Sequence, residues 1–225
     1  GAVGGVNRTT FDSNSNSYSG NISIVGTLTQ LQLNNTNVVP DGVSIDVAAG
    51  NYLLFNTASE TINGLSGAGT VQKHPGVGGL TTFTIGSAGG GGTFSGVIAN
   101  GGGTVALTKI GAGTQILTGT NTYSDTTTIS NGVLQIGNNG TTGTLGSGSV
   151  VDNASLIFNR TNALTVANNI SGTGTVTQLG GASGVLTLSS GAVFNAALAN
   201  TYVPASPATT TVITGGTVTQ VLGVG

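Results

Sequence analysis

The side chains able to do chemistry are few and scattered. The 225 residues contain no cysteine, one histidine, four basic residues (Arg8, Lys73, Lys109, Arg160) and six acids (Asp12, Asp41, Asp46, Glu60, Asp125, Asp152). His74 lies in a glycine-flanked stretch, Lys73-His74-Pro75, with no carboxylate or thiolate near it in sequence. A general base needs an orienting partner, so His74 reads as a surface-loop residue. Hydrolysis or elimination on a polysaccharide would need carboxylates gathered on one face, with Arg or Lys beside them. Asp46 and Asp152 instead fall at matching positions of an internal repeat. That predicts a structural role at turns, since a reaction centre is normally present once.

Metal and phosphate chemistry find equally little support. Zinc signatures fail for want of Cys and His, and no Gly-Gly-x-Gly-x-Asp nonapeptide is present to bind calcium in a β-roll. The glycine runs Gly89 to Gly92 and Gly101 to Gly103 are followed by no Gly-Lys-Ser/Thr and open no helix, so they read as tight corners. Four basic residues in a chain of net charge -2 form no stripe that could neutralise phosphates, which argues against nucleic acid or anionic lipid as partner. No catalytic, cofactor-binding or metal-binding residue is therefore assigned, and no cofactor is expected.

The elements that would position any site are β-strands. Charged residues make up 4% of the chain, against about 25% in an ordinary soluble domain. Val, Ile, Leu and Thr nevertheless recur at short intervals, which separates the chain from disordered sequences. Period-two strands are predicted at Thr27 to Leu33, Thr126 to Ile129, Val133 to Ile136 and Val185 to Leu188. Asn63-Gly64, Asn100-Gly101, Asn131-Gly132, Asn139-Gly140 and Asp41-Gly42 are read as turns that need positive φ. No sustained i, i+3, i+4 apolar spacing occurs, and no run of eighteen apolar residues could span a membrane as a helix.

A long-period repeat decides among the all-β architectures. Asn16-Ser-Tyr-Ser returns as Asn121-Thr-Tyr-Ser, Gln30-Leu31 as Gln135-Ile136, Leu54-Phe-Asn56 as Ile157-Phe-Asn159 and Ser66-Gly-Ala-Gly-Thr-Val71 as Ser171-Gly-Thr-Gly-Thr-Val176. Residues 1–225 thus read as one domain built from two long units, about 11–115 and 116–221. A β-sandwich or jelly roll is the alternative, but the tandem repeat and the small side chains favour a parallel β-solenoid. At roughly 20 to 25 residues per coil and a rung spacing of about 4.8 Å, nine to eleven coils make a rod of roughly 45 to 50 Å. Phe11, Phe55, Phe83, Phe94, Phe158 and Phe194 would be occasional fillers among aliphatic rows, and Tyr18 and Tyr123 would fill corners.

The stretch Leu107-Thr-Lys-Ile-Gly-Ala-Gly-Thr-Gln-Ile-Leu-Thr-Gly-Thr-Asn-Thr-Tyr123, followed by Thr127-Thr-Ile-Ser-Asn-Gly-Val-Leu-Gln-Ile-Gly137 and Gly143-Thr-Leu-Gly-Ser-Gly148, resembles the autotransporter-associated β-strand repeat of bacterial surface and secreted proteins. Leu156-Ile-Phe-Asn-Arg160 and Ile170 to Val176 continue the pattern, while the copy from Phe11 to about Val71 is degenerate. The resemblance implies a right-handed parallel β-helix, export to the cell surface or beyond, and adhesive or matrix roles. It brings no catalytic residue with it. Autotransporters end in a membrane β-barrel of long alternating strands, and no such segment occurs here. The barrel is then cleaved or left out, or the repeat serves another secretion route.

The ends carry the sharpest functional expectation. Gly1 to Val6 and Thr211 to Gly225 are apolar, uncharged and strand-like, without the charges that guard an open β-edge. They predict head-to-tail self-association, and hence a self-assembling extracellular subunit of a surface filament or biofilm matrix fibre. The alternatives are an adhesin passenger fragment and, third, a polysaccharide-acting β-helix enzyme. Surface glycans are a further candidate partner, and Thr-x-Thr pairs such as Thr27/Thr29 and Thr175/Thr177 could form flat threonine ladders. Seven Asn-x-Ser/Thr sequons, at Asn7, Asn21, Asn34, Asn139, Asn153, Asn159 and Asn169, are mostly what chance supplies in so Asn- and Thr-rich a chain.

Overall fold

Strands in this chain pair with the strand one coil later, and every pairing is parallel. A computed structural model describes residues 6–179, together with the backbone of strands Leu186–Leu188 and Thr211–Ile213. No helix occurs among the described residues. The first sheet stacks Asn7–Phe11, Thr29–Leu33, Tyr52–Phe55, Thr70–Lys73 and Val97–Gly101. The second, with eight strands, runs from Ile22–Ile24 to Thr175–Leu179. The third, with six, runs from Ser59–Ile62 to Ile170–Ser171. A further set, Leu164–Val166, Leu186–Leu188 and Thr211–Ile213, makes a short three-stranded sheet.

One coil visits the first, third and second sheets in turn, as in Tyr52–Phe55, Ser59–Ile62 and Gly64–Gly67 before the chain returns at Thr70–Lys73. Register partners lie between 18 residues apart (Tyr52↔Thr70) and 28 apart (Lys73↔Gly101, past a bulge). Eight coils are described, a stack of about 35 Å at the usual rung spacing. This is the β-solenoid read from the sequence, and an all-parallel, next-coil pairing leaves no place for the sandwich alternative.

Alternation within each strand fills the interior. Ile45, Leu65, Leu134 and Leu156 point inward from the second sheet, Leu31, Leu53 and Val71 from the first, and Ile62, Ile85 and Ile129 from the third. Phe55, Phe83, Phe94 and Phe158 are buried among them, with the Phe55 and Phe83 rings 5.0 Å apart. Tyr123 is fully buried, its hydroxyl 2.7 Å from Thr127 Oγ1, while Tyr18 is half-buried and meets Phe11 edge-on. Both tyrosines do fill corners. Phe194 lies outside the described residues.

The long repeat relates strands of different faces. Gln30-Leu31 belongs to the first sheet and Gln135-Ile136 to the second; Asp46 lies in the second sheet and Asp152 in the third. The offset of about 105 residues is therefore not a whole number of coils. Asp46 lies within a strand, whereas Asp152 ends one, and its Oδ1 accepts from Ala154 N (3.1 Å) in the bend that follows. The turn assignments hold in part. Gly101 and Gly132 have positive φ, and at Asn139-Gly140 it is Asn139 that adopts it. Gly64 instead sits inside a strand, where a Cβ would collide with the carbonyl of Gly91. Its glycine serves close approach between coils, not a turn.

Each sheet has a gap, and one polar side chain fills each. In the second sheet Gly92–Phe94 meets the preceding strand at one position, Phe94↔Gly67, so the peptide of Leu65 has no strand neighbour above it. Gln115, fully buried two coils on, passes over Gly92: its Oε1 accepts from Leu65 N (3.2 Å) and its Nε2 donates to Leu65 O (2.9 Å). The first sheet stops after Val97–Gly101, and Asn121 takes over there. Its Oδ1 accepts from Ile98 N (2.9 Å) and its Nδ2 donates to Thr144 O (2.7 Å). The third sheet begins only at Ser59–Ile62, where the Glu60 carboxylate accepts from Val38 N (3.2 Å) and Val39 N (3.0 Å). A side-chain amide or carboxylate can satisfy the donors and acceptors that a missing strand leaves.

Truncating such a group strands buried backbone polar atoms. Gln115→Ala should lower unfolding free energy by about 2–4 kcal/mol, measured by urea denaturation, whereas Gln30→Ala on the outer face should change it by less than about 0.5 kcal/mol.

Candidate functional site

The ionisable residues do not converge. Asp12 stands at the foot of a corner ladder: its Oδ1 accepts from Asn34 Nδ2, and Asn34 Oδ1 accepts from Asn56 Nδ2, each at 2.5 Å. Asp46 accepts from Ser66 Oγ (2.7 Å) across one rung of the second sheet. Asp125 Oδ1 caps Thr126 N (2.7 Å), and the carbonyl of Asp41 accepts from the Ser87 hydroxyl. Glu60 and Asp152 face the core. Among the described residues no three His, Asp or Glu side chains cluster as metal ligands would.

Two of the four cations are buried without a carboxylate. Lys109 Nζ donates to the carbonyls of Ile110, Gly111 (2.8 Å) and Asn131 (3.4 Å), tying the corners of neighbouring coils. Lys73 Nζ donates to Thr57 O (3.0 Å) and Thr81 Oγ1 (2.9 Å). Arg160 donates to Thr141 O (2.7 Å), Gly143 O (2.8 Å) and Asn162 Oδ1 (3.0 Å). The carbonyl-bound lysines escaped sequence reasoning because an isolated Lys in a β-rich stretch looks like a surface residue.

The outer faces differ in character. Thr175 and Thr177 lie in the second sheet beside Ser155 and Ile157, and Thr27 lies outside any strand, so the threonine pairs named from sequence build no ladder. The third sheet does carry one, Thr61–Thr84–Thr108–Thr128, continued by Val151 and Ser171. On the first sheet Arg8, Gln30, Tyr52, Leu54, Gln72, His74 and Pro75 line a cleft of about 440 Å³. A second cleft, about 460 Å³, opens where Asn121, Thr144 and Asn168 replace the first sheet. Its amides are already engaged: Asn121 with Ile98 and Thr144, Asn168 with the carbonyls of Gly146 and Gly148. Tyr52, partly exposed on the first sheet, has no repeat partner in the sequence as Tyr18 and Tyr123 do, so no local pattern marks it.

Residues 107–136 match the Passenger-associated-transport-repeat family. Over 83 residues, 36% of this chain, the sequence is 47% identical to the adhesin BmaC autotransporter of Brucella suis biovar 1 (strain 1330), and the aligned part is 2% of that protein. The chain therefore spans a small fraction of its curated relative. No solved structure matches it. The matched repeat holds the C-terminal half of one third-sheet strand with Lys109, a second-sheet strand, the Asn121 bridge, the next third-sheet strand and the first half of the next second-sheet strand. It is one coil together with its clasps.

Burial sets the charge behaviour of the interior. It pushes the Glu60 carboxyl up to about 7, opposed by the amides of Val39 and Val38 and reinforced by the charge of Asp41. Burial likewise raises Asp152 to about 6, against the amides of Ala154 and Leu156, and its Oδ2 has no hydrogen-bond partner. The Tyr18 hydroxyl, near Glu60, is pushed up to about 12 by burial and then by that carboxylate. Both acids hold their proton in the folded chain at pH values where the unfolded chain has lost it. Stability from them is complete below the ordinary carboxylate range and is lost as pH rises through about 6 and 7. The chain should melt several degrees higher, on the order of 3–6 °C, at pH 4 than at pH 7.5. Asp152→Asn should raise the melting temperature at pH 7.5 and flatten the part of the profile between about pH 4 and 6, read by calorimetry across the pH series.

Proposed function

We propose that the chain is part of an exported adhesin passenger, displayed at a bacterial surface, whose solenoid is a stiff rod that holds binding faces away from the membrane. The observation that carries the reading is the repeat at residues 107–136 and its place in the fold: it is a complete coil, continuous with parallel ladders on both sides. Similarity to a protein named as an autotransporter adhesin supports the adhesive role. The dispersal of the acids supports binding without catalysis, since among the described residues no pair of carboxylates flanks either cleft.

Self-assembly into a filament is the second reading. The terminal segments on which it was built, Gly1 to Val6 and Thr211 to Gly225, fall almost wholly outside the described residues. One observation still favours it: Asn7–Phe11 pairs with Thr29–Leu33 on one side and with no other described strand, leaving an edge that further coils or a second copy could extend.

Displayed on a non-adherent bacterium through a heterologous barrel, the chain should raise attachment to epithelial cells or coated matrix at least several-fold over the barrel alone. Attachment equal to that control overturns the adhesive reading. Electron microscopy of the purified chain at two concentrations tests the second: unbranched filaments support it, and monodisperse short rods refute it.

A further inference from the structure

The cleft on the first sheet contains the polar groups that the fold does not use. Arg8 and Gln30 are register partners, Gln30 and Tyr52 the next pair, and Leu54 and Gln72 lie on the neighbouring row. Among the described residues the side chains of Arg8, Gln30, Tyr52 and Gln72 make no hydrogen bond or ion pair. This sets them apart from the corner ladder beside them, where Asp12, Asn34 and Asn56 bond to one another. With Lys73, Lys109 and Arg160 committed to carbonyl and side-chain oxygens, Arg8 is the one basic side chain without a partner.

The rest of the lining is shaped to receive something. Leu54 points away from the core cluster yet is 2% exposed, giving the cleft a covered apolar floor. Its rung neighbour Gln32 is 4% exposed, and its Nε2 has no hydrogen-bond partner. His74 Nδ1 accepts from Gly76 N (3.1 Å), so the neutral ring carries its proton on Nε2, which remains a free donor. No carboxylate lines the cleft, and the nearest acid in the row, Asp12, is bonded through both oxygens to Asn34 and Thr10.

A guanidinium, two primary amides and an imidazole donor, set around a tyrosine ring, suit a ligand with a carboxylate, several hydroxyls and a C–H face. Arg recognises carboxylate as a planar two-pronged donor, amides serve hydroxyls as both donor and acceptor, and a tyrosine face covers apolar area while its hydroxyl stays wet. We propose that this cleft binds a carboxylated sugar unit of an acidic glycan, with Arg8 on the carboxylate, Tyr52 against the ring face, and Gln30, Gln72 and His74 on the hydroxyls. The proposal rests on the adhesive reading above and gives it a ligand class.

The test titrates the full chain with an oligogalacturonate of four to six units and with its carboxyl-reduced neutral counterpart, read by calorimetry and by ligand-observed NMR. Saturable binding is expected, with a Kd of roughly 0.1 to 5 mM for one shallow site. The neutral oligosaccharide should bind at least about tenfold more weakly, and Arg8→Ala and Tyr52→Ala should each weaken binding about tenfold. Both variants should melt with the wild type, since neither side chain holds the fold together. Absence of saturable binding up to about 10 mM, or equal binding by both variants, overturns the site. On displayed cells, variants that attach as well as wild type overturn the site and leave the adhesive reading standing. Glycan binding in solution without attachment of the displayed wild type does the reverse.

Discussion

A stack of coils holds together only if each peptide N–H and C=O finds its partner one coil away. With 4% charged residues and few aromatic side chains, this chain has little besides the ladders and the aliphatic rows between them. A buried peptide group left unpaired costs about 1–3 kcal/mol, a large fraction of the margin by which a domain is stable. The strands are not continuous, however: the second sheet thins to one pair at Phe94↔Gly67, the first stops after Val97–Gly101 and the third begins only at Ser59–Ile62. Glu60, Gln115 and Asn121 close those places by acting as peptide groups on side chains. The stack can therefore change sheet composition along its length without opening.

The same constraint explains why charge occurs inside a chain that is nearly free of it. Lys109 is held by carbonyls of three corner residues, oxygens that a turn leaves without ladder partners. Lys73 does the same at Thr57. Glu60 receives peptide N–H groups where a strand is absent. Interior charges of this kind answer to backbone dipoles and not to one another, so burial shifts their proton affinities toward the neutral form. Charge taken up in this way is withdrawn from the surface, which leaves Arg8 with its partnerless guanidinium conspicuous on the first sheet.

Much of the architecture was legible in the sequence because it depends on local pattern. Val133 to Ile136 alternates as a strand does, the stretch from Leu107 to Gly148 resembles a known repeat, and the expected coil of roughly 20 to 25 residues falls within the 18 to 28 observed. Placement around the coil was not legible, because coil length varies. Gln30-Leu31 and Gln135-Ile136 look alike since any two-sided strand looks alike, and counting 105 residues between them lands on a different face. Gln115 and Asn121 could not be picked out either. Their importance comes from what is absent one or two coils below, at Leu65 and Ile98, and no local spacing records that. Tyr52 was invisible as a platform for the same reason: its surroundings depend on Arg8, Gln30 and Gln72 stacking alongside it, 20 to 44 positions away along the chain.

The central claim is that side chains complete the ladders at their gaps, and residue-resolved amide hydrogen exchange in the native state tests it most directly. The N–H groups of Leu65, Ile98 and Val39, bonded to Gln115, Asn121 and Glu60, should be protected to within about tenfold of ladder amides such as Leu134 and Val71. Exchange of those three at rates near those of the exposed loop amides, with Leu134 and Val71 still protected, would contradict it.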